Sequence, residues 1–409
     1  MSGANALLTA LRAASIGRDD ATFAETLDGG VTTYGAFFEG AARVAGALVA
    51  AGVKPGDRVA VQVEKSLAAL QLYVGVVSAG GVFLPLNTAY TPAEIGYFLG
   101  DAEPTLFVCD PGAREALAPV AKGAGVATLL TLDAAGNGTL ADAVAAAAPI
   151  APVARVEEDL AGILYTSGTT GRSKGAMLTH RALASNSETL RAYWRFTSED
   201  RLIHALPIFH THGLFVATNV TLMAGGSVIF MPKFDADAVL AAMPRATAMM
   251  GVPTFYTRLL DHPGLTREVC AGMRVFVSGS APLLAETHDA WRVRTGHAIL
   301  ERYGMTETNM NTSNPYDGER RAGTVGFPLP GVDLRIVDPE SGAALAAGAV
   351  GSIEVRGPNL FSGYWRMPEK TKEDMREDGF FITGDLGLVS ADGYVSIVGR
   401  SKDLIITGG

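Results

Sequence analysis

The chain has 409 residues, 48% of them hydrophobic and 18% charged, with 33 basic against 42 acidic residues for a formal net charge of −9. That length exceeds one compact core, so two or three units are expected, the apolar fraction argues against disorder, and the acidic balance argues against a broad face for nucleic acid or an anionic membrane. Its 48 glycines direct the search to Gly-rich loops, while Cys109 and Cys270 are too few for a disulfide scaffold and fit a reducing, cytoplasmic setting.

In chain order, the first twenty residues lack a basic stretch followed by a clean apolar run, so no secretory signal is expected. Phe37, Ala41, Val44 and Leu48 mark one apolar helix face, which Gly52 and the Pro55-Gly56 turn end before a strand at 59–63. No charge falls between Lys65 and Glu94, a stretch long enough to span a bilayer, yet Gly80-Gly81 and Pro85 break it into a buried helix and strand. The uncharged stretch between Arg201 and Lys233 is interrupted in the same way by Pro207, three histidines and Gly225-Gly226. Thr91-Pro92-Ala93-Glu94 combines an N-cap, a first-turn proline and an acidic third position, which predicts a helix start. A strand follows at 105–109, and the alanine-rich 141–154, with Pro149 and Pro152, reads as a linker. Strands are predicted again at 227–231, 246–251, 274–278 and 298–303, and after about 324 short β-like runs at 333–337, 352–355, 380–383 and 394–398 suggest an antiparallel sheet or small barrel. The expected fold class is α/β: two βα-layered subdomains, 1–155 and 156–325, plus a smaller antiparallel β subdomain, 326–400.

The segment Leu164 to Leu178, LYTSGTTGRSKGAML, runs from a strand into a loop of Thr, Ser and Gly with one Lys. Glycines let backbone N–H groups turn toward an anion, hydroxyls add donors, and Lys174 supplies charge, so the loop suits phosphate; a flexible surface turn is the bland alternative. It is not a Walker A loop, because Ser173-Lys174 stands where that pattern needs Gly-Lys. Glu307, a lone carboxylate after Thr306, suits Mg²⁺ shared with phosphate oxygens, or is an exposed loop acid. Tyr303 could stack on a purine or fill the core. Asp385 could accept hydrogen bonds from two vicinal ribose hydroxyls, with turn acid as the alternative. His204, His210 and His212 include an i, i+2 pair, His210 and His212, which raises the question of a metal site, but no third ligand for that pair is evident.

Six ordered blocks carry a resemblance. YTSGTTGRSKG, ALPIFHTHG, ERYGMTET, GSIEVRGPNLFSGYW, FFITGDLG and GRSKDLIITGG together resemble the adenylate-forming superfamily, which includes acyl-CoA synthetases, luciferases and peptide-synthetase adenylation domains. GVPTFYTRLL and YGMTETNMNTSNPYDG resemble its malonyl-CoA synthetase branch. The resemblance implies ATP or AMP, Mg²⁺ and coenzyme A as cofactors and malonate, or methylmalonate, as substrate. It implies nucleotide contacts from Thr166, Ser167, Gly168, Thr169, Thr170, Gly171 and Lys174, from Gly279, Ser280 and Ala281, and from Glu301, Arg302, Tyr303 and Thr306, with Asp385 and Arg400 on the ribose. It places Glu307 on the metal, His210 at the gate for the thiol, Arg258 and Ser280 on the distal carboxylate, and Thr211 and Met310 around the middle carbon.

Arg258 can also be weighed by its chemistry. A dicarboxylate would bury its spare carboxylate unpaired without a cation, and a guanidinium pairs it bidentately; a structural salt bridge is the alternative reading. The chain stops at Gly409 inside the block that opens the family's small C-terminal domain, with Lys402-Asp403 at the expected hinge in 401–409. The chain alone is therefore expected to bind nucleotide and to turn over poorly. The competing readings are another short-acid CoA ligase, an amino-acid adenylation domain, and a nucleotide-binding remnant without catalysis.

Overall fold

The computed structural model describes residues 4–166 and 172–401. Two βα layers and one small antiparallel sheet make up the fold, as the sequence predicts. One layer is a six-stranded sheet in the order Thr128–Thr131, Leu106–Cys109, Arg58–Gln62, Val82–Pro85, Leu160–Thr166, Lys174–Thr179. All its neighbours run parallel except the last pair, which is antiparallel. The other is nine-stranded, in the order Phe327–Pro328, Asn309–Ser313, Leu300–Met305, Val275–Ser278, Ala248–Gly251, Arg201–His204, Ser227–Phe230, Thr22–Thr26, Val31–Thr33. Its centre is parallel and its edges antiparallel. Asp333–Val337, Gly351–Arg356, Phe381–Val389 and Val395–Arg400 pair in sequence order as an antiparallel meander, not a closed barrel.

A cut between 155 and 156 does not separate these sheets. Thr22–Thr26 and Val31–Thr33 pair into the nine-stranded sheet, while Leu160–Thr166 and Lys174–Thr179 belong to the six-stranded one. Alternating patterns identify elements, but a parallel strand finds its neighbour through a long crossover that leaves no local mark. The Phe327–Pro328 strand also closes the nine-stranded sheet, so the antiparallel unit begins at Asp333 rather than 326.

Local signals match the elements closely. The Tyr34–Ala50 helix buries Phe37, Ala41, Val44 and Leu48 and is capped by Thr33, whose hydroxyl accepts from Ala36 N at 3.2 Å. Thr91 and Glu94 form a reciprocal capping box at the start of the Pro92–Ala102 helix. The expected linker is partly a helix, Thr139–Ala146, because alanine favours helix strongly and Leu140 gives the segment something to bury. A Cβ on Gly46 would come within 2.1 Å of Ala148 O, so the segment packs hard against the Tyr34–Ala50 helix. The two uncharged stretches fold as short buried elements, the first as Leu67–Ser78 and Val82–Pro85. Among the described residues no helix is long and apolar enough to cross a membrane.

Candidate active site

All three sheets contribute to one cavity of about 790 Å³. At its phosphate end, Thr166 and Lys174 are opposed partners where the antiparallel pair Leu160–Thr166 and Lys174–Thr179 opens into its loop. The expected ligands Ser167, Gly168, Thr169, Thr170 and Gly171 lie outside the described residues. Gly175 keeps this hairpin tight, since a Cβ there would sit 3.0 Å from Ile163, and Trp365 N donates to Gly175 O at 2.8 Å. The Lys174 ammonium lies 4.0 Å above the Tyr364 ring and 3.6 Å from Asp374. Desolvation draws its pKa down, and the Asp374 and Glu307 carboxylates oppose that shift.

Glu307 is buried on the same wall. Its Oε1 accepts from Tyr364 OH at 3.0 Å and from Thr166 Oγ1 at 3.4 Å. Burial raises its pKa, against the hydrogen bonds it accepts and the charge of Lys174. The described wall carries only two acids, Glu307 and Asp374, and Asp374 is engaged by Lys174 and Lys370. One carboxylate beside a phosphate site fits Mg²⁺, which takes one or two carboxylates and completes its shell with phosphate oxygens and water. Thr306 lines the cavity next to it.

At the nucleoside end Arg400 lines the cavity, while Asp385, its Cα partner on the adjacent strand of the meander, and Tyr303 lie behind the wall. Arg400 Nε lies 3.1 Å from Asp385 Oδ1, and Tyr303 OH donates to Asp385 Oδ2 at 2.5 Å. Burial raises the Asp385 pKa, opposed by these two neighbours. Ala281 is exposed, whereas Gly279 is packed so closely that a Cβ would come within 2.4 Å of the Arg302 guanidinium carbon. Glu301 does not face the cavity. Strand alternation puts Arg302 on the cavity side and turns Glu301 away, where its Oε1 lies 3.2 Å from His288 Nδ1 in the interior.

The third end is walled by the loop and π-helical turn that begin at His210. Residues His212–Thr218 form the π-turn, a distortion often found at functional sites. Gly213 allows it, because a Cβ there would come within 2.0 Å of Pro207 O. His210, Thr211, His212 and Met310 all line the cavity, with His210 exposed at its mouth. His204 points elsewhere: Lys65 Nζ lies 3.1 Å from its Nδ1, and its Nε2 lies 3.0 Å from Gly213 O. Among the described residues no three His, Cys, Asp or Glu side chains cluster as a metal site.

Arg258 was expected on the distal carboxylate. It sits exposed on the Pro253–Leu260 helix, its guanidinium 4.8 Å over the Phe234 ring, and is not on the cavity wall. The cation that lines the cavity beside Ser280 and His212 is Arg302. It is 4% exposed, its Nη2 donates to Ser280 Oγ at 3.4 Å, and Ser280 Oγ lies 3.3 Å from His212 Nδ1. Desolvation pulls the Arg302 pKa down to about 9, which leaves it protonated at neutral pH. Among the described residues Arg302 Nε, Thr211 Oγ1 and His212 Nε2 find no hydrogen-bond partner. These atoms are enclosed as well as unpaired, and all three residues line the cavity, which leaves a buried charge at this end to be answered. Sequence reasoning assigned Arg302 to the nucleotide and passed over Tyr364, Lys370 and Asp374. Tyr364 stood within a matched block, whereas nothing in the sequence tied the helix after it to the phosphate end.

The chain is similar to known proteins along most of its length. The family model for AMP-binding enzymes matches residues 12–365. The malonate–CoA ligase of Arabidopsis thaliana is 36% identical over 387 residues, covering 88% of this chain and 62% of that protein. A feruloyl-CoA synthase of Amycolatopsis sp is 37% identical over 385 residues, covering 93% of this chain and 76% of the relative. The chain thus spans less than two thirds of the plant ligase. The ATP-bound crystal structure of MatB from Rhodopseudomonas palustris superposes with a TM-score of 0.97 at 60% identity, covering 99% of this chain and 80% of that one.

Proposed function

The chain belongs to the AMP-binding enzyme family, and from that premise we propose that it serves an acid–thiol ligase activating malonate with ATP and passing the malonyl group to coenzyme A. In the first step a malonate carboxylate oxygen attacks the α-phosphorus of ATP and pyrophosphate leaves, giving malonyl-AMP. In the second the CoA sulfur attacks the acyl carbonyl and AMP leaves. The first step needs no protein nucleophile, so its acceleration rests on positioning and charge neutralisation. Lys174 and the loop donors hold the phosphates, and Glu307 would hold Mg²⁺, which supplies further neutralisation when bound. Asp385 and Arg400 take the ribose hydroxyls, and His210 stands at the mouth for thiol entry.

The carrying observation is the buried Arg302 guanidinium on the cavity wall, hydrogen-bonded to Ser280 Oγ and paired with no carboxylate among the described residues. An aromatic acyl group such as feruloyl has no charge at its far end and would leave that guanidinium unpaired, which costs about 3–5 kcal/mol when buried. Malonate brings the missing carboxylate; methylmalonate brings the same one with an added methyl beside Met310. The 60% identity with the ATP-bound protein and the malonate–CoA ligase relative point the same way. The cysteines Cys109 and Cys270, both buried and free, fit a reducing compartment such as the cytoplasm.

Binding of non-hydrolysable acyl sulfamoyl adenosines tests the assignment by calorimetry. The malonyl analogue should bind about 100-fold more tightly than the acetyl analogue, from one charged pair gained or left unpaired. Equal affinity for the two would remove malonate as the substrate.

A further inference from the structure

The short helix Pro368–Asp374 carries a charge pair that the functional reading leaves unused. Lys370 Nζ lies 2.7 Å from Asp374 Oδ1, while Lys174 Nζ lies 3.6 Å from Asp374 Oδ2. One carboxylate therefore bridges two ammonium groups, one from the edge of the phosphate loop and one from an element far from it in sequence. All three side chains line the same cavity end as Glu307 and Thr306. Trp365 and Tyr364 fix the approach of this segment: Trp365 N donates to Gly175 O at 2.8 Å, and the Tyr364 ring carries the Lys174 ammonium above it. Tyr364 OH meets Glu307 at 3.0 Å, so the same ring touches both the proposed metal ligand and the phosphate lysine.

We infer that Lys370 is a second cationic ligand for the polyphosphate of ATP, with Asp374 as the positioning residue that holds it beside Lys174. The inference rests on the ATP-dependent reading above. AMP has a single phosphate, attached to the ribose held by Asp385 and Arg400, and it needs no cation at the far end. ATP adds two phosphates that extend past Lys174, and a lysine is suited to a phosphate chain because its ammonium acts as a compact point charge with three rotatable donors. Asp374 keeps the two like charges together while the site lacks a polyanion. Lys370 is also bonded to Glu373 at 3.1 Å, so its head group has a second exposed partner to leave when phosphate arrives.

The test compares ATP and AMP, each with Mg²⁺, titrated calorimetrically into the chain and its Lys370→Met and Lys370→Arg variants. K370M should weaken ATP about tenfold and leave AMP within about twofold, and K370R should restore most of the ATP affinity. Lys370 is a partly exposed residue of a surface helix, so both variants should fold, and the AMP titration confirms it. ATP binding unchanged in K370M, or ATP and AMP weakened by the same factor, would overturn the inference while leaving the ligase reading intact. Failure of the unaltered chain to bind either nucleotide would instead overturn the reading on which it rests.

Discussion

A guanidinium taken out of water is stable only if something answers its donors, and Arg302 has Ser280 for one of them and nothing among the described residues for Nε. Substituting Met for Arg302 removes the charge and keeps much of the volume. The preference for a malonyl over an acetyl sulfamoyl adenosine should then collapse by about 100-fold, through loss of malonyl affinity rather than gain elsewhere, with AMP binding unchanged. Arg258→Ala is the informative comparison, because Arg258 stands exposed over Phe234 at the end of the neighbouring helix. A malonyl-specific loss as large as that of R302M would move the distal carboxylate to that helix. Gly279 belongs to the same argument. Its missing Cβ leaves room for the Arg302 guanidinium at 2.4 Å, so Gly279→Ala should impair the malonyl analogue and spare AMP, measured in the same titrations.

At the scale of elements, the signals with a local physical cause were the readable ones. The capping box at Thr91, the apolar face of Tyr34–Ala50 and the Gly and Pro breaks of the uncharged stretches all act within a few residues, and the structure shows each where expected. The antiparallel unit was legible for the same reason, since its strands pair with their neighbours in sequence. What escaped notice depends on distance. Which sheet a strand joins, which face of Leu300–Met305 meets the cavity, and that Pro368–Asp374 approaches Lys174 are all decided by packing between remote segments. The π-turn is intermediate, because the block ALPIFHTHG with His210 and His212 marked the place without disclosing the distortion. Gly213→Ala tests that element: its Cβ would fall 2.0 Å from a backbone carbonyl that cannot yield cheaply. The variant should lose about 1–3 kcal/mol of stability, read from chemical denaturation, and weaken the acyl analogue together with it.

Across the whole molecule, three buried histidines act as acid-labile joints. His180 ties the N-terminal helix to the body, its Nδ1 accepting from Leu7 N at 3.2 Å; His204 supports the π-turn through Gly213; His212 backs Ser280. Desolvation lowers all three pKa values, that of His180 to about 4, with nearby cations adding to the effect. The unfolded chain takes up these protons near the ordinary value of about 6.5. As pH falls below that value the unfolded state therefore binds more protons than the native one, and stability is lost at up to about 1.4 kcal/mol per pH unit for each histidine. The raised carboxyls of Glu301, Glu307 and Asp385 act in the opposite sense, because the native state protonates them before the unfolded state does. Their window runs upward from the ordinary carboxylate range, so they offset part of the histidine effect wherever the two overlap. The melting temperature should fall between pH 7.5 and 5.5. His180→Asn keeps an acceptor for Leu7 N without a titrating ring, so it should flatten that fall by about one proton's share. A melting temperature that does not change over this range, or a slope that H180N leaves intact, would show that the joints do not couple to folding.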